Sequence, residues 1–279
     1  MQDLRISLVQ GATLWHDPVG NRAYYGELIE PLRGRTDLIV LPETFSSGFS
    51  NEAIHNAEGM HGPTVAWIKA QAKALDAAIT GSVQLRTEAG VVHNRLLFAT
   101  PDGKLAHYDK RHLFRYAGEH ERYASGRERL SVEWRDWRIC PLICYDLRFP
   151  VFSRNRYNNE RTDALDYDLL LYVANWPAAR SHAWQSLLRA RAIENLCYVA
   201  GVNRVGTDGN GLDYAGDSAA IDFLGHPLSE SAAQEGVVTT TLPAGDLAAH
   251  RVRFPAMLDA DKFELVDGPP TARSARDRS

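Results

Sequence analysis

A thiol sits where the chain changes character in the stretch Arg138-Ile139-Cys140-Pro141-Leu142-Ile143-Cys144-Tyr145-Asp146-Leu147-Arg148-Phe149-Pro150. Ile139, Leu142 and Ile143 suit a buried strand, and the residues after them turn abruptly polar, so Cys144 stands at a strand's end as the chain swings toward a helix. Such a cysteine is presented rather than hidden. A thiol attacks as the thiolate, and a nearby cation or a helix N-terminus favours that form. A cysteine alone is ordinarily a small buried hydrophobe, so the chemistry depends on what else reaches it.

Two other strand exits carry suitable partners. Asp37-Leu38-Ile39-Val40-Leu41 is an aliphatic run of buried-strand type, and Pro42 stops it because proline cannot donate to a central ladder, leaving Glu43 at the C-terminal end. The strand over Lys104–Tyr108 is followed by Asp109-Lys110. Glutamate and lysine at strand ends are usually solvated. Together with a thiol they form a complete set: a carboxylate to take the proton, and an ammonium to hold the thiolate or the oxyanion of a tetrahedral intermediate.

The elements that must position these residues follow from periodicity. Leu4–Val9 reads as a first strand, and Asp17-Pro18 as an N-cap with proline at the first helical position, opening a helix to about Leu32. Gly62-Pro63 opens a second helix with Val65, Ile68, Ala72 and Leu75 on one face. Strands follow over Ala78–Val83, Val91–Ala99 and Lys104–Tyr108, the last two joined as a hairpin by Pro101-Asp102-Gly103. The polar and aromatic segment Arg111–Gly126 is a long loop, the kind that tends to be functional.

A second hairpin, Leu130–Trp134 with Trp137–Ile143, delivers Cys144, and Pro150–Tyr157 is expected to be helical. Asp168–Ala174 is a buried strand ended by Asn175-Trp176-Pro177, a helix starts at Ser181, and Cys197–Val202 is the next strand. Gly206–Gly216 is expected to be loop, and Ser218–Phe223 and Gly236–Leu242 are closing strands. Mixed strand and helix order with several hairpins favours two sheets packed together with helices outside, a four-layer α-β-β-α sandwich of the α/β class. No linker splits the chain. Residues 1–265 are expected to form one domain, and residues 266–279, rich in Pro, Arg, Asp and Ser, a mobile tail.

Composition excludes several function classes. The 279 residues carry 44% hydrophobic and 24% charged residues, ordinary for a soluble globular protein. A net charge of -4 leaves no basic footprint for nucleic acid. No apolar run approaches the ~20 residues that span a bilayer, and the N-terminus opens directly into a strand pattern, so a cytoplasmic location is expected. Cys140 and Cys144 on one strand would lie roughly 13 Å apart, beyond disulfide reach. Reduced thiols are expected, with Cys140 in the core, and no metal site or other cofactor.

Three segments together carry a family resemblance: Leu41-Pro42-Glu43-Thr44-Phe45, Tyr108-Asp109-Lys110-Arg111-His112-Leu113-Phe114 and Cys144-Tyr145-Asp146-Leu147-Arg148-Phe149-Pro150. Supporting segments are Asn175-Trp176-Pro177, Arg189–Asn195 and Gly216-Asp217-Ser218. In this order the chain resembles the nitrilase superfamily of carbon-nitrogen hydrolases. The resemblance implies the four-layer sandwich, a Glu-Lys-Cys triad and a homodimer or higher homo-oligomer. It makes Cys144 the nucleophile and Glu43 the general base, with Lys110 and the backbone N–H of Tyr145 cradling the oxyanion. A second glutamate in the loop after the lysine is assigned to Glu119, with Glu121 the alternative two residues on.

Within that superfamily the Lys-Arg-His-Leu-Phe segment, the Gly-Glu-His loop and the Asn-Trp-Pro turn are most similar to the omega-amidase branch, whose substrates are short dicarboxylic monoamides such as 2-oxoglutaramate and succinamate. A free carboxylate needs a cation, because burying an unpaired anion is costly. Arg115, Arg148, Arg180 and Arg204 are available, and Tyr116 offers a hydroxyl. Arg148 is expected to brace its turn through an ion pair, with Asp146 a candidate partner, in preference to touching substrate. Trp176 and Phe45 are candidate pocket walls or ordinary core, and His112 and His120 are expected to make loop hydrogen bonds. A nitrilase, carbamoylase or aliphatic amidase would share this chemistry. A metal-dependent phosphodiesterase or a non-catalytic interaction protein is the reading from outside it.

Overall fold

Side chains alternate across a strand, and in this chain the alternation sorts apolar residues into two separate layers. The computed structural model describes residues 1–158, 164–231 and 233–265. In chain order the elements are β1 (Leu4–Gln10), α1 (Pro18–Ile29), β2 (Leu38–Val40), α2 (Pro63–Leu75), β3 (Ala78–Arg86), β4 (Val92–Ala99), β5 (Leu105–Asp109) and the one-turn α3 (Glu119–Arg122). Next come β6 (Val132–Trp134), β7 (Trp137–Ile143), the short α4 (Pro150–Ser153), β8 (Tyr157–Asn158), β9 (Ala164–Leu165), β10 (Leu169–Ala174) and α5 (Ser181–Asn195). The chain closes with β11 (Tyr198–Asn203), β12 (Val205–Thr207), β13 (Asp213–Ala215), β14 (Ala219–Ile221), β15 (Pro227–Glu230), β16 (Gly236–Leu242) and α6 (Ala244–Arg253).

Two six-stranded sheets form, ordered β16-β1-β2-β3-β4-β5 and β15-β14-β11-β10-β7-β6. Leu4, Ile6 and Leu8 of β1, Leu38 and Val40 of β2, and Leu96 and Phe98 of β4 meet Ile139, Ile143 and Leu171 in the layer between the sheets. One residue out of phase, Val9, Ile39, Leu97 and Ala99 pack with Tyr25, Ile29, Val65 and Ile68 under α1 and α2. On the far side Trp184, Leu188 and Ala192 of α5, four residues apart, close the second sheet. Gly201 of β11 lets α5 seat there, since a Cβ at that position would lie 2.6 Å from a Leu188 methyl. The α-β-β-α sandwich expected from element order is therefore the architecture of this chain.

Local signals account for the helix starts. The Asp17 carboxylate accepts the Gly20 N–H at 2.8 Å, with Pro18 in the first turn of α1. Helix α2 opens on Pro63 and buries Val65, Ile68, Ala72 and Leu75, the face expected.

The structure differs from the sequence expectation in three places. The helix expected over Pro150–Tyr157 ends at Ser153, and the chain then runs extended into β8. Asn155 is the cause: its side chain is buried and bonded to Tyr167 O at 2.9 Å and Asn195 O at 3.0 Å, which pins the backbone away from the helix. The segment read as loop over Gly206–Gly216 contains the hairpin β12-β13, whose turn is tied by Asp208 Oδ1 accepting the N–H groups of Asn210 (2.8 Å) and Leu212 (3.0 Å). Helix α6 carries no strong sequence signal because Leu247 is its one large apolar residue in the core. Residues 266–279, expected to be a mobile tail, lie outside the described residues.

Strands β1, β2 and β3 are mutually parallel, as are β7, β10 and β11. Strand β5 returns to the same direction as β3 through two antiparallel pairings. The exits of β2, β5, β7 and β10 thus share one end of the sandwich, where open α/β sheets bind ligands.

Candidate active site

The site begins where the layer between the sheets turns polar. On β4 the inward face reads Phe98, Leu96, then Asn94, and on β5 Tyr108 pairs with Leu96, so Lys110 falls opposite Asn94, with Lys110 N–H bonded to Asn94 O at 2.9 Å. Glu43 arrives from the exit of β2, and Glu119 from the turn α3 folded back over Lys110. All four side chains are fully or almost fully buried.

Their hydrogen bonds are dense. Lys110 Nζ donates to Glu43 Oε1 at 2.8 Å and to Glu119 Oε1 and Oε2 at 3.1 and 3.0 Å. Asn94 Nδ2 donates to Glu43 Oε1 at 2.8 Å and Glu119 Oε1 at 3.2 Å. Glu119 Oε2 also accepts the Phe114 N–H at 2.5 Å. Glu43 Oε2 accepts the Asn175 N–H at 2.8 Å, and Asn175 Nδ2 donates to Glu43 O at 2.7 Å and Thr44 Oγ1 at 3.0 Å. The structure separates the two candidate loop glutamates: Glu119 meets Lys110, while Glu121 is a surface side chain beside His120.

Cys144 opens a one-turn 3-10 segment, Cys144–Arg148, directly after β7. Its φ of 44° is matched by 45° at Thr44, beside Glu43. Non-glycine residues in this left-handed region cost on the order of 1–3 kcal/mol and persist only where surrounding bonds fix them. Thr44 N–H is held by Ser82 Oγ at 2.9 Å. The Cys144 turn is held by the buried carboxylate of Asp146, which accepts Ile143 N–H at 3.0 Å, Tyr108 O–H at 2.8 Å, and His112 N–H and Nδ1 at 3.0 and 2.8 Å. His112 thus makes the loop bond expected of it and stacks on Phe149 at 3.7 Å.

Electrostatics differ from the expectation of an activated thiolate. Burial pushes the Cys144 thiol well above its ordinary range, the Glu43 charge adds to this, and Lys110 opposes without prevailing. The reason is that Lys110 already serves two carboxylates and that a single 3-10 turn offers little dipole. Burial also disfavours the Lys110 ammonium, yet the Glu119 and Glu43 charges hold it well above the usual lysine range. Glu119 is raised, by burial first, with Lys110 opposing and Glu43 adding. The resting site is a neutral thiol beside an ion cluster.

A cavity of about 270 Å³ opens over Cys144. Glu43, Lys110, Cys144, Tyr145 and Asn175 form its reactive end, and Tyr116, Arg148, Trp176 and Arg180 lie in its wall. Phe45 is not in that wall: it is fully buried beneath α1 and α2 against Tyr25 and Trp67. The Arg148–Asp146 ion pair is absent, because Asp146 is occupied by backbone, Tyr108 and His112; Arg148 instead lies over the Trp176 ring at 4.9 Å. Arg180 lies over Phe114 at 5.4 Å. Arg115 is outside the lining, and Arg204 is buried against Tyr214 at 4.8 Å.

Comparison with known proteins places the chain. The carbon-nitrogen hydrolase family profile matches residues 5–252. The chain belongs to the carbon-nitrogen hydrolase family. Among relatives in this family, Omega-amidase YafV of Escherichia coli (strain K12) is 49% identical over 266 residues, which is 95% of this chain and 100% of the relative. The 2-oxoglutaramate amidase of Bacillus subtilis (strain 168) is 32% identical over 237 residues, covering 84% of this chain and 88% of its own. A carbon-nitrogen hydrolase superfamily protein of Xanthomonas campestris, crystallised with an arsenic adduct in its active site, matches with a TM-score of 0.94 at 70% identity, covering 95% of this chain and 100% of that one. The resemblance to the nitrilase-type carbon-nitrogen hydrolases, and the enzyme class with it, are borne out.

Sequence reasoning missed Asn94, the role of Asp146 in holding the Cys144 turn, and the wall of Asp208, Asn210, Leu212 and Tyr214, all part of the site or its surroundings. Asn94 had a signal: it shares strand parity with Leu96 and Phe98, a polar residue on a buried face. The 208–214 wall had none, since only the hairpin brings it over Cys144.

Proposed function

We propose that this carbon-nitrogen hydrolase is an amidase that cleaves the terminal amide of short dicarboxylic monoamides, of the 2-oxoglutaramate and succinamate type, through a thioester at Cys144. The observation that carries the reading is one cavity with the Glu43, Lys110 and Cys144 side chains at one end and two guanidinium groups, Arg148 and Arg180, in the wall, neither with a carboxylate partner among the described residues. The names of the Escherichia coli and Bacillus subtilis relatives support it.

In this reading Glu43, which lines the same end of the cavity as the thiol, takes the Cys144 proton as sulfur attacks the amide carbon. Proton transfer at the moment of attack suits a thiol whose free ionisation is disfavoured. The oxyanion is held by the Tyr145 backbone N–H and by Lys110, one of whose three N–H groups, all bonded to Glu43 and Glu119 at rest, swings from a Glu119 oxygen to the developing charge. Collapse breaks the C–N bond, and Glu43 returns its proton to the departing ammonia. A water then loses a proton to Glu43 and attacks the thioester, releasing the dicarboxylic acid and restoring the thiol. Glu119 holds Lys110 and touches no reacting atom. The far carboxylate of the substrate pairs with Arg148 or Arg180. A homo-oligomer in the cytoplasm belongs to the same reading, with light scattering the check on assembly.

The test is ammonia release from 2-oxoglutaramate and succinamate set against nitriles, N-carbamoyl amino acids and neutral amides. Preference for the carboxylate-bearing amides, and an acyl adduct on Cys144 in acid-quenched enzyme, are expected. A fully active Cys144→Ala enzyme, or a preference for nitriles or carbamoyl substrates, would refute it.

A further inference from the structure

Counting acceptor positions divides the labour between the two buried carboxylates. Each carboxylate oxygen has two lone pairs. Glu119 Oε1 receives Lys110 Nζ and Asn94 Nδ2, and Oε2 receives Lys110 Nζ and the Phe114 N–H, so all four positions are filled. Glu43 Oε1 is likewise filled, by Lys110 Nζ and Asn94 Nδ2 at 2.8 Å each. Glu43 Oε2 receives one full bond, from Asn175 N–H at 2.8 Å. The Asn175 Nδ2 contact to Oε2 is long, at 3.5 Å, and both protons of that amide are spent on Glu43 O and Thr44 Oγ1. One acceptor position therefore stays open, on Glu43 Oε2.

Asn94 is the neutral member that makes this pattern possible. It is 1% exposed, and its two N–H groups reach one oxygen of each glutamate. Its amide has a single workable orientation, because the two carboxylate oxygens it faces only accept, so Nδ2 must point at them. Oδ1 then faces Ser82, which donates its proton to it at 2.8 Å while accepting the Thr44 N–H at 2.9 Å, and this anchors the amide.

We infer that Asn94, anchored by Ser82, is a positioning residue of this enzyme: it clamps Glu43 Oε1 and Glu119 Oε1 together and leaves Oε2 of Glu43 as the atom that receives the thiol proton. The inference rests on the reading of Glu43 as base. Besides Lys110, the titratable groups facing the pair are Cys144 after β7, Tyr123 after α3 and Tyr214 of β13. Both phenols are pushed above their ordinary range, by burial first, and stay neutral across the working pH.

A donor to a carboxylate favours its ionised form, so loss of Asn94 makes the pair harder to ionise. In Asn94→Leu the acid limb of the kcat/KM profile should move to higher pH by about one unit, a roughly tenfold loss of kcat/KM on that limb. Ser82→Ala, which keeps Asn94 but frees its amide, should move the limb the same way by less. Thermal melting of each variant separates this from instability, since a purely structural role lowers the melting temperature and leaves the limb in place. An unmoved limb in folded Asn94→Leu overturns the inference; if that variant does not fold, an unmoved limb in Ser82→Ala does. Glu43→Gln keeps the two failures apart: normal turnover there removes the base itself, whereas a dead Glu43→Gln beside an unmoved limb removes only the role of Asn94.

Discussion

Replacing Glu43 by glutamine should abolish turnover and yet make the Cys144 thiol easier to ionise. The thiol is disfavoured as thiolate first by burial and next by the Glu43 charge, with Lys110 the opposing influence. The substituted amide keeps nearly the same shape and leaves Lys110 in place, but removes the like charge. At an effective dielectric of about 20, unit charges about 4 Å apart interact by about 4 kcal/mol, or about 3 pKa units at ~1.4 kcal/mol each. The cavity mouth admits water, so roughly 1–3 units is the fall expected in the titration midpoint. Ultraviolet thiolate absorbance followed against pH reads it directly, with Glu43→Gln/Cys144→Ala as the baseline. That baseline removes the buried thiols: burial pushes Cys140 up to about 12 and Cys197 higher still. A midpoint unchanged or raised in Glu43→Gln would show that the glutamate charge does not reach the sulfur, and the shared-proton mechanism would fail with it.

Arg148→Gln and Arg180→Gln test the cavity cations: the one that pairs with the substrate carboxylate should raise KM for succinamate-type amides tenfold to a hundredfold, the equivalent of about 1.5–3 kcal/mol, and leave a neutral amide unchanged. Equal effects on both substrate classes would point to a packing role over Trp176 or Phe114. Asp76 caps α2 in the left-handed region with φ 53° and is exposed, so Asp76→Gly should raise the urea unfolding free energy by about 0.5–1 kcal/mol. Burial raises the Asp168 carboxyl, but Arg138 and Arg251 outweigh it and hold the group below its ordinary value. Its contribution is present above the usual carboxylate value near about 4 and lost as pH falls through the depressed value. Asp168→Asn should therefore cost about 3 kcal/mol near neutrality and flatten that part of the acid-range stability curve, measured by urea unfolding at several pH values.

Much of the framework was legible one segment at a time. The exits at Glu43, Lys110 and Cys144 could be read because each is a local event, an apolar run followed by proline or polar residues. The same holds for α1 and α2, whose caps and apolar faces lie within a dozen residues of each other in the chain. Where the reading failed, a distant partner had overruled a local signal. Asn155 breaks a helix by bonding Tyr167 and Asn195. Phe45, near Glu43 in sequence, points to the opposite side of its sheet. Arg148 loses its supposed partner because Asp146 is claimed by Tyr108 and His112.

What the sequence by itself determined is the inventory: a thiol, an acid and an ammonium at strand ends, a four-layer plan and a family. Tertiary structure alone decided which oxygen of which glutamate is open, because a lone pair is filled or free only after residues from β3, β4, β5, α3 and the β10 exit have all arrived. It also decided that the thiol rests neutral. A charge's effect depends on what else surrounds it, and Lys110 reaches Cys144 with two carboxylates already bound.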